Sequence, residues 1–102
     1  MRGTARSVSG VTIRVTEERW LHITEEHAEV AGHLHDVLET IGDPEAVYAG
    51  GAGELLAVRP VAAGKYLVVV SKEQEAVDGF VIMAFLTRRL RPIEKRTRLW
   101  PH

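Results

Sequence analysis

The stretch RWLHITEEH, Arg19 to His27, sets two histidines, an arginine and two glutamates within nine residues. Imidazole is the side chain best suited to moving protons near neutral pH, so these histidines are the first candidates for acid–base chemistry. At about 100° per residue on a helix, His22 and Glu26 share a face, while His22 and His27 lie about 140° apart. His22, with its carboxylate neighbours, is the stronger catalytic candidate. His27 shares the apolar stripe of Trp20 and Ile23 and reads as a half-buried structural histidine. The same angles deny the two histidines a common metal ion. A zinc site completed by His33 or His35 follows no strong ligand motif. The glycines of AGGAG (49–53) lack the Lys-Ser/Thr of a phosphate-binding loop. Neither a metal nor another cofactor is expected.

A second set of polar residues is brought together only by folding. Arg59, Lys65, Tyr66, Thr87, Arg88 and Arg89 stand at the ends of apolar runs. If those runs form a meander, the turn at 61–64 sets Arg59 beside Lys65. The next turn, near 73–78, returns Thr87 and Arg88 to the same end. Cations and hydroxyls gathered on one sheet edge suit phosphate contacts. The plain structural alternative is that strand ends are polar in any sheet and Lys65 merely guards a hairpin.

The elements that must position these residues are marked by changes of period. Residues 1–10 are small and polar without periodicity and read as a flexible N-terminus. VTIRVT (11–16) alternates in the manner of a half-buried strand. Thr16 is placed to cap a helix of about residues 17–29, with Glu17 and Glu18 in its first turn. After Gly32, Leu34, Val37, Leu38 and Ile41 mark a second amphipathic helix, closed by Gly42-Asp43-Pro44. AVYAG (46–50), ELLAVRP (54–60), KYLVVVSK (65–72) and GFVIMAFLTRRL (79–90) then read as strands joined by short, turn-rich links. The expected fold is α+β, with two N-terminal helices packed on a four- to five-stranded antiparallel sheet over residues 11–100. The last two strands are apolar on both faces. Helices cover one face, and the tail, through Leu99 and Trp100, or a second subunit covers the other.

At 102 residues the chain holds one domain, and its 45% hydrophobic and 26% charged composition is that of a soluble globular protein. No apolar run approaches the roughly 20 residues that span a bilayer. No apolar segment follows the basic N-terminus as a secretory signal requires. A cytoplasmic location away from membranes is expected. The absence of cysteine excludes disulfides, thiolate metal sites and cysteine nucleophiles. The net charge of −1 is unevenly spread: residues 88–102 carry six cations and one acid, a net of +5, leaving −6 for the remainder. Such a segment reads either as a patch for a polyanion or acidic partner, or as a solvated tail.

Taken together and in order, RWLHITEEHAEV, GKYLVVVSKE and GFVIMAFLTRRL resemble the phage and bacterial proteins grouped as Barnase–EndoU–colicin–RelE-like nucleases. The resemblance covers about residues 15–100 and implies a nuclease-like fold of helices followed by a four-stranded antiparallel sheet. It also implies a metal-independent ribonuclease, toxin-like, with a cognate antitoxin as partner. Carried over by position, it points to Arg19, His22, His27, Lys65 and Thr87, although Ala28 stands where a proline commonly follows the second histidine. Its implied mechanism is attack of a ribose 2′-hydroxyl on the adjacent phosphorus. His22 would act as base or acid, with Lys65, Arg59 and Arg88 on the phosphate and Thr87 positioning it. RNA is then the expected partner. A non-catalytic binding module that pairs through its basic tail, and a homodimeric structural protein, are the competing expectations.

Overall fold

A computed structural model of the chain describes residues 2–75 and 78–102. Its strands are β1 (Gly3–Arg6), β2 (Thr12–Val15), β3 (Ala46–Ala49), β4 (Leu55–Ala62), β5 (Lys65–Glu75), β6 (Asp78–Thr87) and β7 (Arg98–Trp100). They form one sheet in the order β1-β2-β6-β5-β4-β3-β7. Helices α1 (Glu17–Glu26) and α2 (Leu34–Gly42), with a short 3-10 turn at Ala28–Val30, lie between β2 and β3. A third helix, α3 (Arg91–Glu94), links β6 to β7. Among the described residues no helix is long and apolar enough to cross a membrane.

Local sequence accounts for each helix. In β2 the alternation buries Ile13 and Val15 completely. The Thr16 hydroxyl then accepts the Arg19 N–H at 3.1 Å and starts α1, with Glu17 and Glu18 in the first turn. Trp20 and Ile23 face inward. The helix ends at His27, whose backbone leaves the helical region (φ −130°, ψ 74°). In α2, Val37, Thr40 and Ile41 are buried, and the Thr40 hydroxyl donates to the Asp36 carbonyl at 2.7 Å.

The sheet separates two apolar clusters. On the helix side Ile13, Val15, Trp20, Ile23, Val37 and Leu67 pack together. On the other face Tyr48, Leu56, Val58 and Val68 pack under Ile93 of α3, with Tyr66, Phe85 and Leu90 at the margin. The second face is therefore closed by the segment that follows β6. The residues responsible are Leu90 and Ile93; Leu99 remains 39% exposed.

The expected fold of two helices on a four- to five-stranded antiparallel sheet is overturned by three strands. Within the stretch read as flexible, Gly3–Arg6 pairs antiparallel with β2. β2 in turn lies parallel to the start of β6, with Thr12 opposite Asp78 and Arg14 opposite Phe80. Arg98–Trp100 of the tail adds a strand beside β3. The result is a seven-stranded mixed sheet. An ion pair between Arg14 and Asp78 ties the parallel junction. Gly79, the first residue of the expected strand 79–90, lies inside β6, where a Cβ would come within 2.7 Å of both Ile13 Cδ1 and the Lys72 carbonyl oxygen. Only glycine lets β2 approach so closely. The expected link at 73–78 is correspondingly shorter: β5 runs to Glu75 and β6 starts at Asp78.

Candidate active site at the β5–β6 end of the sheet

Tyr66 and Thr87 are direct partners in the antiparallel β5–β6 ladder, and Leu67 is the partner of Leu86. Directly opposed side chains leave a sheet on the same face and successive ones alternate. Leu67 packs in the helix-side cluster and Tyr66 in the other. Tyr66, Phe85 and Thr87 thus share the face opposite the helices. Lys65, in step with Leu67, belongs to the helix side. The Thr87 hydroxyl accepts the Arg89 N–H at 3.0 Å and contacts the Arg89 carbonyl at 3.3 Å, a local turn that ends the strand. Arg88 and Arg89 follow in exposed positions.

The pairing of β2 with β6 stops at Phe80, so the rest of that edge of β6 is met by α1 and the 3-10 turn. Here the His27 ring packs against Phe85, with centroids 5.9 Å apart and planes tilted by 35°. His27 Nδ1 lies 3.3 Å from Glu29 Oε2, and the His27 side chain is 33% exposed. With Nδ1 engaged, Nε2 is the nitrogen left for a substrate. The Glu29 carboxyl is held below the usual glutamate range, first by its own backbone N–H. The Leu86 N–H and His27 act in the same direction, and partial desolvation opposes them. An imidazole oriented by a carboxylate and packed on an aromatic ring is an arrangement able to transfer protons, and the exposed Arg88 and Arg89 follow Phe85 along the chain.

The other expected residues lie elsewhere. His22 points away from the sheet, half exposed, with Nε2 2.7 Å from Glu26 Oε1. With Arg19 it borders a hollow of about 670 Å³ lined by Thr16, Glu18, Leu21 and Glu25. All six come from α1 and its cap, so no second element closes over a ligand there. Arg59 is committed to structure: it pairs with Glu39 at 3.1 Å and Asp43 at 3.1 Å, and also donates to the Asp43 carbonyl. The expected gathering of Arg59, Lys65, Tyr66, Thr87 and Arg88 along one edge therefore divides. Tyr66 and Thr87 meet on one face, whereas Arg59 and Lys65 belong to the other.

Two residues of the site, Glu29 and Phe85, were not anticipated. The His-x-Glu spacing of His27 and Glu29 follows a helix break, and the break is what turns both side chains toward β6. Phe85 reads as core in an apolar run, and only the short reach of β2 leaves it beside an imidazole. Comparison of the chain with models of protein families, with curated proteins and with solved structures gives no match.

Proposed function

We propose that this protein is a metal-independent endoribonuclease that opens RNA by attack of a ribose 2′-hydroxyl on the neighbouring phosphorus. The observation that carries the reading is His27, with one nitrogen on Glu29 and its ring on Phe85 at the sheet end that bears Tyr66, Thr87, Arg88 and Arg89. His27 Nε2 takes the 2′-hydroxyl proton as the O2′–P bond forms, and the P–O5′ bond breaks to leave a 2′,3′-cyclic phosphate. The departing 5′ oxygen is protonated by solvent at this open end. Arg88 and Arg89 neutralise the charge that grows on the phosphate oxygens, and the Tyr66 and Thr87 hydroxyls add hydrogen bonds. His22, the stronger candidate in the sequence, has no part in this mechanism.

A second reading is favoured by the C-terminal segment. Arg88, Arg89, Arg91, Lys95, Arg96 and Arg98 are exposed and form no salt bridge among the described residues, yet α3 and β7 anchor their backbone. An ordered cationic strip serves a module that binds a polyanion without cleaving it.

Incubation of the purified chain with single-stranded RNA in EDTA separates the two. Cleavage that His27→Ala lowers by about 10²-fold or more, with His22→Ala within a few fold of wild type, supports the nuclease. RNA binding without cleavage by the wild type supports the binding module and rejects the nuclease.

A further inference from the structure

The geometry points to Glu29 as the positioning residue of this site: its carboxylate holds His27 in the Nδ1–H form, so that the reactive lone pair sits on Nε2. The inference rests on the nuclease reading only for its catalytic consequence. The tautomer is a property of the free protein.

Four observations converge on Glu29. Its Oε2 lies 3.3 Å from His27 Nδ1, a contact that an ionised carboxylate makes only as an acceptor. The carboxyl is held below the usual glutamate range, first by its own backbone N–H and also by the Leu86 N–H and His27, so it stays an acceptor. Leu86 belongs to the part of β6 that lies beyond its pairing with β2, where the 3-10 turn carrying Glu29 packs against the strand. Finally, the ring of His27 packs on Phe85, one residue before Leu86. The carboxylate of the 3-10 turn thus meets the imidazole where the imidazole meets the edge of β6. The His27 ring cannot change its hydrogen-bonding nitrogen without losing this contact. A carboxylate behind an imidazole sets the tautomer and steadies the imidazolium that forms as the proton is taken.

Among the described residues the His27 ring pairs with no other carboxylate. The remaining helix-layer histidines have carboxylate partners of their own: His22 with Glu26, His33 with Asp36 and His35 with Glu39. All three pairs lie within a single helix or its cap, at spacings of three or four residues, as ordinary surface pairs do. The His27–Glu29 pair instead spans the break between α1 and the 3-10 turn.

The test is long-range ¹H–¹⁵N NMR of the uniformly labelled full chain at a pH where His27 is neutral. The wild type is expected to show His27 protonated on Nδ1. Glu29→Ala is expected to move the proton to Nε2 and to expose the Leu86 amide to faster hydrogen exchange. Glu29→Gln keeps the side chain's size and one acceptor oxygen, so it supplies a folded variant if Glu29→Ala fails to fold. In Glu29→Gln, RNA cleavage is expected to lose about 10-fold or more in kcat with little change in KM, because the imidazolium no longer faces a charge. A wild-type His27 protonated on Nε2 would overturn the inference. So would a tautomer unchanged in Glu29→Ala, or full kcat in a folded Glu29→Gln. If the wild type cleaves no RNA while His27 carries its proton on Nδ1 under the control of Glu29, the positioning role stands and the nuclease reading fails.

Discussion

Tyr66 and Thr87 face each other across the β5–β6 ladder, one residue past the pair Leu67–Leu86 that belongs to the opposite face. That single step divides the polar end of the sheet in two. A hydroxyl pair and Phe85 lie on the face under α3, while Lys65 goes with the helices. On the proposed nuclease reading, the phosphate contacts beside His27 would come from the two arginines that follow Thr87.

Arg88 and Arg89 should therefore matter for RNA affinity and Lys65 should not. In filter binding, Arg88→Ala with Arg89→Ala should weaken binding at low salt and reduce the slope of log affinity against log salt by about 1 to 2, as expected for one or two lost phosphate contacts. Lys65→Ala should leave both within error. A large loss from Lys65→Ala alone would mean that RNA crosses the helix-side face instead.

Arg59 should behave as a structural residue. It meets two carboxylates and a backbone carbonyl at the C-terminal end of α2, where a cation also opposes the helix dipole. The partners are largely solvated, so Arg59→Met should cost only about 1 kcal/mol in urea denaturation, and less at high salt. RNA affinity should stay unchanged.

How far the site could be read in the sequence depends on how local its causes are. The Thr16 cap, the break after α2 and the ends of β3 depend on neighbouring residues, and periodicity finds them. His27 is half-buried, as its spacing from Trp20 implies, but its packing on Phe85 was not legible because a seven-residue spacing counts as one face only if the helix continues. The chain leaves helical geometry at His27 itself. Arg59 looked free because Glu39 and Asp43 reach it only through tertiary packing. The strand Gly3–Arg6 has no alternation of strongly apolar residues, and its order comes from pairing with β2 and from Leu38 packed against Gly3. The second face was correctly expected to need a cover, but a helix of four residues gives too short a period to recognise.

Acid should destabilise the fold partly through Glu29 and Glu54. Both carboxyls are held below the ordinary glutamate value of 4.5, Glu29 chiefly by its own backbone N–H and Glu54 chiefly by the Ala52 N–H. A carboxyl lowered on folding contributes its stability above the unfolded value and loses it as pH falls through the folded value. The melting temperature should therefore hold from neutral pH to about 5 and drop below 4.5. Glu29→Gln should make that drop shallower in thermal melts followed by circular dichroism. An unchanged profile would mean that its hydrogen bonds persist in the unfolded chain.

Gly79 provides the sharpest test of the parallel junction that separates this sheet from an antiparallel meander. A Cβ at Gly79 would sit 2.7 Å from Ile13 Cδ1, 2.7 Å from the Lys72 carbonyl oxygen and 3.2 Å from Glu73 Cα. The first contact involves the end of a side chain that can turn. The other two involve the backbone of β5, which the ladder holds in register. Ile13 is itself fully buried, so turning it disturbs the core. Gly79→Ala should accordingly cost about 1–3 kcal/mol, the usual scale of overpacking, read as a lower urea midpoint with an unchanged slope. Shortening the neighbour in Gly79→Ala/Ile13→Val relieves only the side-chain contact. The double variant should therefore remain less stable than Ile13→Val alone, because the carbonyl clash persists. If β2 did not lie along β6, the two β5 backbone contacts would still make alanine costly, but the Ile13 contact would vanish and Ile13→Val would recover none of that cost. Strictly additive costs of Gly79→Ala and Ile13→Val would thus reject the β2–β6 pairing, and with it the short reach of β2 that leaves Phe85 and Leu86 to His27 and Glu29.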